Sequence, residues 1–191
     1  MATTQPIRDK KHTRELARYF FELGQIRNYV LVVLAMHTGL RIGDILSLTW
    51  NDVYDFEKNI VRNSVTLIEK KTGKRKTIDF GNKIVKALGL YAKDNAKSGC
   101  FLIENARTSN AISRVQAYRI IRRAAEVLNF AYRVSCHSLR KTFGYHAWKN
   151  GASIAIIMKI FNHTCISITE RYLGITQDDM NTVYLSMELV A

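Results

Sequence analysis

Proline occurs once in 191 residues, cysteine three times, and no stretch is rich in Pro, Gly or Ser. So few breakers argue against an internal linker, low complexity or disorder, except over the first half-dozen residues. No internal repeat is visible. Cys100, Cys136 and Cys165 are odd in number and widely spaced, which suits reduced thiols in the cytoplasm rather than a disulfide framework. Neither Cys136-His137 nor His163-x-Cys165 has the spacing of a zinc ligand pair, so no metal is expected there. The longest apolar run, Tyr29 to Met36, stops at His37, far short of a membrane span. The N-terminus is polar and of mixed charge, with no secretory pattern. Acidic residues are the remaining shortage: 16 Asp and Glu face 29 Lys and Arg, a formal charge of +13. A surplus of this size implies a polyanionic partner. No helix pairs a wide apolar face with a basic one while lacking a core to join, so nucleic acid is favoured over lipid.

With 47% hydrophobic residues the chain can bury the core of one domain. Asp9 is placed to cap a helix from Lys10 to about Leu23, on which Leu16, Tyr19, Phe20 and Leu23 recur at helical spacing. A more apolar helix follows from about Arg27 to His37, ended by Gly39, and then a short one over Ile42 to Leu48. The period changes between Asn59 and Phe80. Ile60, Val61, Val65, Leu67 and Ile68 suggest one strand and Thr77 to Phe80 its partner, joined by a turn at Lys71-Thr72-Gly73-Lys74. Helices are predicted over Asn82–Lys93, Ile112–Leu128, His137–Lys149, Ser153–Phe161, Ile166–Tyr172 and Asp178–Leu189, with a short extended piece at Tyr132–Val134. The expected class is α+β, mainly helical with a small antiparallel sheet. On the last helix Val183, Leu185, Met187 and Leu189 suit equally a neighbouring subunit or the chain's own core.

Basic residues cluster locally. Lys70, Lys71, Lys74, Arg75 and Lys76 crowd the hairpin tip, and Arg114, Arg119, Arg122 and Arg123 share one helix. On so basic a chain, Lys70, Lys74, Arg75, Lys76, Arg119, Arg122 and Arg123 are candidate phosphate contacts.

Three motifs go further. The segment Thr38-Gly39-Leu40-Arg41-Ile42-Gly43-Asp44 resembles the first arginine motif of the tyrosine recombinase (phage integrase) family. His137-Ser138-Leu139-Arg140 resembles its His-x-x-Arg motif, and Asn162-His163 followed nine positions later by Tyr172 resembles its final histidine and nucleophile. The likeness runs over residues 10 to 180, nearly the whole chain. It implies the recombinase catalytic-domain fold and DNA strand cleavage and rejoining, with Arg41, Lys71, His137, Arg140, His163 and Tyr172 as catalytic residues. Phosphoryl transfer piles negative charge on the non-bridging oxygens, so the main task is electrostatic. Arg41 and Arg140 each offer a planar charged fork to those oxygens. His137 and Arg140, three apart, share a helix face. The resemblance implies that Tyr172 attacks phosphorus to give a 3′-phosphotyrosyl link and a free 5′-hydroxyl. Lys71 would protonate the leaving oxygen, with Lys70 and Lys74 as neighbouring alternatives. His163 would bind a non-bridging oxygen or position the nucleophile, and Asp44 would orient the cations. His146 also matches a family histidine, read here as structural. Bond energy kept in the ester removes any need for ATP or metal, in keeping with the missing P-loop and magnesium carboxylates.

Two departures stand out. Asn162 occupies a position where the family more usually has glycine, which bears on the turn before His163. Family members usually carry an N-terminal DNA-clamping domain, whereas here only a short extension, residues 1–9, precedes the catalytic domain at 10–191. Either the chain is a naturally short form or it has lost half its grip, the short form being favoured; in both cases a one-sided grip and a salt slope shallower by about 0.9 log units per phosphate contact absent are expected. The expected partner is double-stranded DNA, bound by a homo-oligomer (a tetramer) that joins two duplexes. A type IB topoisomerase-like nicking-closing enzyme and a non-catalytic DNA-binding accessory protein are the alternatives.

Overall fold

The computed structural model describes residues 4–187. Helix α1 (Lys10–Glu22) begins at Asp9, whose carboxylate accepts from the Lys11 amide, and buries Leu16 and Phe20. Helix α2 (Ile26–Thr38) is buried over Val30 to Ala35 and packs against α1, α5 (Asn82–Asn95) and α7 (Cys136–Lys149), which explains its nearly unbroken apolar sequence. Gly39 ends α2 in the left-handed region at φ 62°, and its carbonyl is left free for the site below.

Two short helices follow, α3 (Ile42–Ile45) and α4 (Trp50–Val53). The second was not apparent in the sequence; a capping box between Thr49 and Asp52 defines it over only four residues. The expected single sheet is two antiparallel pairs. Ile60–Val61 (β2) pairs with Tyr54–Asp55 (β1), not with the hairpin strands, which are Ser64–Ile68 (β3) and Arg75–Asp79 (β4). The hairpin keeps the expected turn, between Ile68 and Arg75.

Helix α6 (Arg114–Val127) starts two residues later than the sequence suggests because Ser113 caps it, together with Gln116. Ser135 caps α7 in the same way through Ser138. Helices α8 (Ile154–Phe161) and α9 (Ile166–Leu173) join α7 in a second apolar cluster built on Ile157, Phe161 and Leu173. Gly144 lets them approach, since a Cβ there would lie 2.6 Å from Phe161 and 2.8 Å from Leu173. We expect Gly144→Ala to overpack this contact and cost about 1–3 kcal/mol of stability, read by thermal or urea unfolding. An unchanged midpoint would contradict that packing.

Just past the first half-dozen residues the chain is anchored to the core. Ile7 is fully buried, its amide donates to Thr142 Oγ1 at 2.8 Å, and its carbonyl meets His146 Nε2 at 3.0 Å. His146 therefore serves to hold the segment ahead of α1. Helix α10 (Gln177–Leu185) closes the described chain. Its apolar residues do not pack on the core: Val183 is 57% exposed, Leu185 83%, and Met187, just past the helix, 58%. Leu189 lies outside the described residues. Among these residues no helix is long and apolar enough to cross a membrane.

Candidate active site

Five of the six residues singled out as catalytic gather near Phe161, the last residue of α8: two arginines on its carbonyl oxygen, Tyr172 and His163 against its ring, and His137 against Tyr172. Arg140, on α7 and 2% exposed, donates from Nη2 to that oxygen at 3.0 Å and from Nη1 to the Gly39 carbonyl at 2.7 Å. Arg41, at the N-cap of α3, donates from Nη2 to the same Phe161 oxygen at 3.2 Å. The arginines of two motifs about a hundred residues apart in sequence are thereby fixed side by side. Arg140 also lies over the Phe161 ring, 4.6 Å from its centroid.

Tyr172, on α9, stands against the same phenylalanine and between two histidines. Its ring centroid is 5.1 Å from that of Phe161, 4.9 Å from that of His137 and 5.0 Å from that of His163. Its hydroxyl lies 3.3 Å from His137 Nδ1. His163 Nδ1 lies 3.0 Å from the hydroxyl of buried Thr169, which fixes that ring. Lys141 adds another cation, 5.2 Å from the Tyr172 centroid, while donating to the Thr4 carbonyl at 2.7 Å.

These surroundings set the protonation states. Desolvation, helped by Lys141, Arg140, Arg41 and Lys71, pushes His137 down to about 4. Desolvation and the charges of Arg140, Arg41, His137 and Lys71 bring His163 to about 4 as well. Both rings are thus neutral near pH 7. Burial pushes the Tyr172 phenol up to about 12, against the pull of Arg140 and Arg41. The resting pair is a neutral tyrosine beside a neutral imidazole.

The sixth residue, Lys71, is exposed on the hairpin tip, at a cleft of about 650 Å³ walled by Arg41, Asp44, Lys70, Arg114, His137 and Arg140, among others. Asp44 is 1% exposed and accepts from the Lys70 amide at 2.9 Å, so it holds the base of the tip and makes no ion pair with the arginines. Of the candidate phosphate contacts, Lys70, Lys74 and Arg75 are exposed on the tip, and Arg119, Arg122 and Arg123 on α6. Arg122 is engaged by Glu126 at 2.6 Å. Lys76 points the other way. It donates to the Ile160 carbonyl at 2.5 Å and lies 3.7 Å from Glu69, inside the protein.

The family model described as the phage integrase family matches residues 10–178. The chain belongs to this family, the tyrosine recombinases. A probable integrase/recombinase of Bacillus subtilis, YoeC, is 35% identical over 184 residues, 96% of this chain and 97% of that protein. The tyrosine recombinase XerD of Mycobacterium leprae is 29% identical over 169 residues, which cover 83% of this chain but 51% of XerD. The chain thus spans about half the length of that relative. The crystal structure of XerA recombinase shares the fold, with a TM-score of 0.79 at 21% identity over 99% of this chain and 68% of that one. The mainly helical fold with its small antiparallel pairs is therefore that of the recombinase catalytic domain, and membership places the chain among site-specific recombinases.

The structure settles the turn at Asn162 and adds one feature of this recombinase site that the sequence does not reveal. Asn162 adopts the left-handed conformation, φ 51°, that glycine would supply, so the turn before His163 is kept despite the departure. Its side chain binds Glu69, a fully buried carboxylate that also pairs with Arg41. The only signal for Glu69 was its place as the single acid in a basic run.

The low histidine values carry a pH prediction. Between pH 6.5, the ordinary value, and about 4, the unfolded chain binds protons at His137 and His163 that the folded recombinase does not. Stability therefore falls as pH drops through that window. A His137→Gln, His163→Gln double variant should show a shallower fall in thermal midpoint between pH 7 and 4.5, and parallel curves for the two proteins would contradict the assignment.

Proposed function

We propose that this recombinase cleaves and rejoins duplex DNA at specific sites through a 3′-phosphotyrosyl intermediate on Tyr172. One observation carries the reading: the Tyr172 hydroxyl lies 3.3 Å from a histidine nitrogen that is neutral at pH 7, next to two arginines anchored on one carbonyl. His137 takes the phenol proton as Oη attacks phosphorus. Arg41 commits part of its five N–H donors to the Phe161 carbonyl and to Glu69, Arg140 part of its five to the Gly39 and Phe161 carbonyls, and donors left over on each serve the non-bridging oxygens. His163 joins them at the phosphate. The P–O5′ bond breaks as the Oη–P bond forms, and O5′ takes a proton from Lys71, help worth about 10²–10⁴-fold. Rejoining reverses the sequence with the ester as its energy store.

Duplex DNA suits a surplus of 13 positive charges, with Lys70, Lys74, Arg75, Arg119, Arg122 and Arg123 exposed for phosphates. A lambda integrase dimer bound to a core site shares the fold, with a TM-score of 0.71. The catalytic domain spans 10–191, and a homotetramer joins two duplexes, its subunits docking through the uncovered apolar face of α10. The setting is the cytoplasm, in keeping with the three free cysteines.

A nicked suicide duplex built on the DNA flanking the gene tests the reading. Wild type should form a covalent protein–DNA adduct, and plasmids carrying two sites should recombine. No adduct under permissive salt would sink the proposal, while relaxed plasmid without recombinant product would favour a nicking-closing enzyme.

A further inference from the structure

Glu69 sits at the base of the hairpin tip, and its side chain is 0% exposed although cations crowd the turn beside it. Asn162 Nδ2 donates to its Oε2 at 2.5 Å and the Thr72 hydroxyl at 2.8 Å. Arg41 Nη1 lies 3.2 Å from the same oxygen, and Lys76 Nζ 3.7 Å from Oε1. These partners come from the start of α3, the hairpin tip, its return strand, and the C-cap of α8 immediately before His163. Burial alone would raise the carboxyl, but the bonds from Thr72 and Asn162, with Lys76 and Arg41, hold it below its ordinary value. It remains an anion. Its backbone shapes the turn as well: the Glu69 carbonyl accepts from Gly73 at 2.8 Å, and its amide donates to Lys74 at 3.0 Å.

Lys71 lies between two tethers. On one side the Lys70 amide is held by Asp44 at 2.9 Å, and on the other the Thr72 hydroxyl is held by Glu69. Among the described residues no hydrogen bond or ion pair engages the Lys71 ammonium itself, so the turn alone decides where it points. The geometry points to Glu69 as the positioning residue for the leaving-group step: by holding Thr72 against Arg41 and Asn162, it fixes where Lys71 meets the 5′-oxygen. The inference rests on Tyr172 as nucleophile and Lys71 as general acid. A misplacement of about 1 Å in such a group costs about 10²-fold in rate.

Sulfur in place of the bridging 5′-oxygen separates this role from others. The Oη–P bond still forms, but the bond that breaks is P–S, and the thiolate departs without a proton because it is a far weaker base. A defect in proton delivery disappears on that substrate, whereas a defect in DNA binding or charge stabilisation persists.

The test is single-turnover cleavage of matched oxygen and 5′-sulfur suicide duplexes at saturating protein. On oxygen we expect losses of about 10²-fold for Glu69→Gln and about 10-fold for Thr72→Val, with Lys71→Ala losing about 10²–10⁴-fold. On sulfur all three should return to within about threefold of wild type. The assignment is overturned if Glu69→Gln cleaves oxygen at the wild-type rate, or if its defect persists on sulfur while Lys71→Ala is rescued. Should Lys71→Ala itself not be rescued, the general acid lies elsewhere and the role of Glu69 falls with it. If Glu69→Gln does not fold by thermal melting, Thr72→Val decides, since it leaves the carboxylate and its ion pairs in place; a wild-type rate on oxygen, or a loss that sulfur does not restore, then overturns the assignment.

Discussion

Replacing Tyr172 by Phe should abolish the covalent adduct, with a loss on the order of 10⁴-fold or more, because no other hydroxyl can take over the bond to phosphorus. The fold should survive. The ring contacts to Phe161, His137 and His163 depend on the aromatic face and not on the hydroxyl. The hydrogen bond to His137 at 3.3 Å that the substitution removes is worth about 1 kcal/mol or less. DNA affinity should also be retained, so filter binding or gel shift should match wild type while adduct formation vanishes. A Tyr172→Phe protein that still forms the adduct would move the nucleophile elsewhere, Tyr184 being the nearest tyrosine in sequence.

The second large effect is expected at Arg140. Lysine keeps the charge but cannot span the Gly39 and Phe161 carbonyls, which the guanidinium reaches at 2.7 and 3.0 Å. The Phe161 carbonyl keeps Arg41, so the partner at stake is that of the Gly39 carbonyl, at a cost of about 1–3 kcal/mol. The phosphate loses a planar fork, which should lower the cleavage rate by about 10²–10³-fold. Arg41→Lys should cost less stability, since the Arg41 side chain is 23% exposed. Single-turnover rates at saturating protein, taken with urea unfolding, separate the two losses. An Arg140→Lys protein that cleaves within about threefold of wild type would remove Arg140 from the charge-stabilising role.

The long helices are legible from their apolar spacing, and α1 also from its cap, Asp9; the caps Ser113, Ser135 and Ser153 do not stand out in the sequence, which is why the starts of α6, α7 and α8 shift by one or two residues. Helix α4 is not legible, since four residues cannot show a period. The reach of Ile60–Val61 back to Tyr54–Asp55 is a pairing choice that a local pattern leaves open. Lys76 reads like Lys74 and Arg75 in composition, yet it shares the inward face of β4 with Ile78, a period-two signal that was available and outweighed by the charge run. Glu69 is different in kind. Its meaning depends on Asn162, 93 residues away, and on Arg41, so only the folded chain reveals it. The buried segment around Ile7 is likewise too short to carry a pattern.

In the proposed reaction Tyr172 becomes covalently joined to the 3′ end of a cleaved strand. Trapping the adduct on a suicide duplex, trimming it with nuclease and digesting with trypsin should yield the peptide that begins after Arg171 carrying a nucleotide remnant. That peptide also holds Tyr184, so fragment-ion sequencing must assign the modified residue. The account predicts the remnant on Tyr172 through a 3′-phosphate, with a free 5′-hydroxyl on the other strand end. A remnant on Tyr184 or any other residue, or a 5′-phosphate linkage, would contradict it.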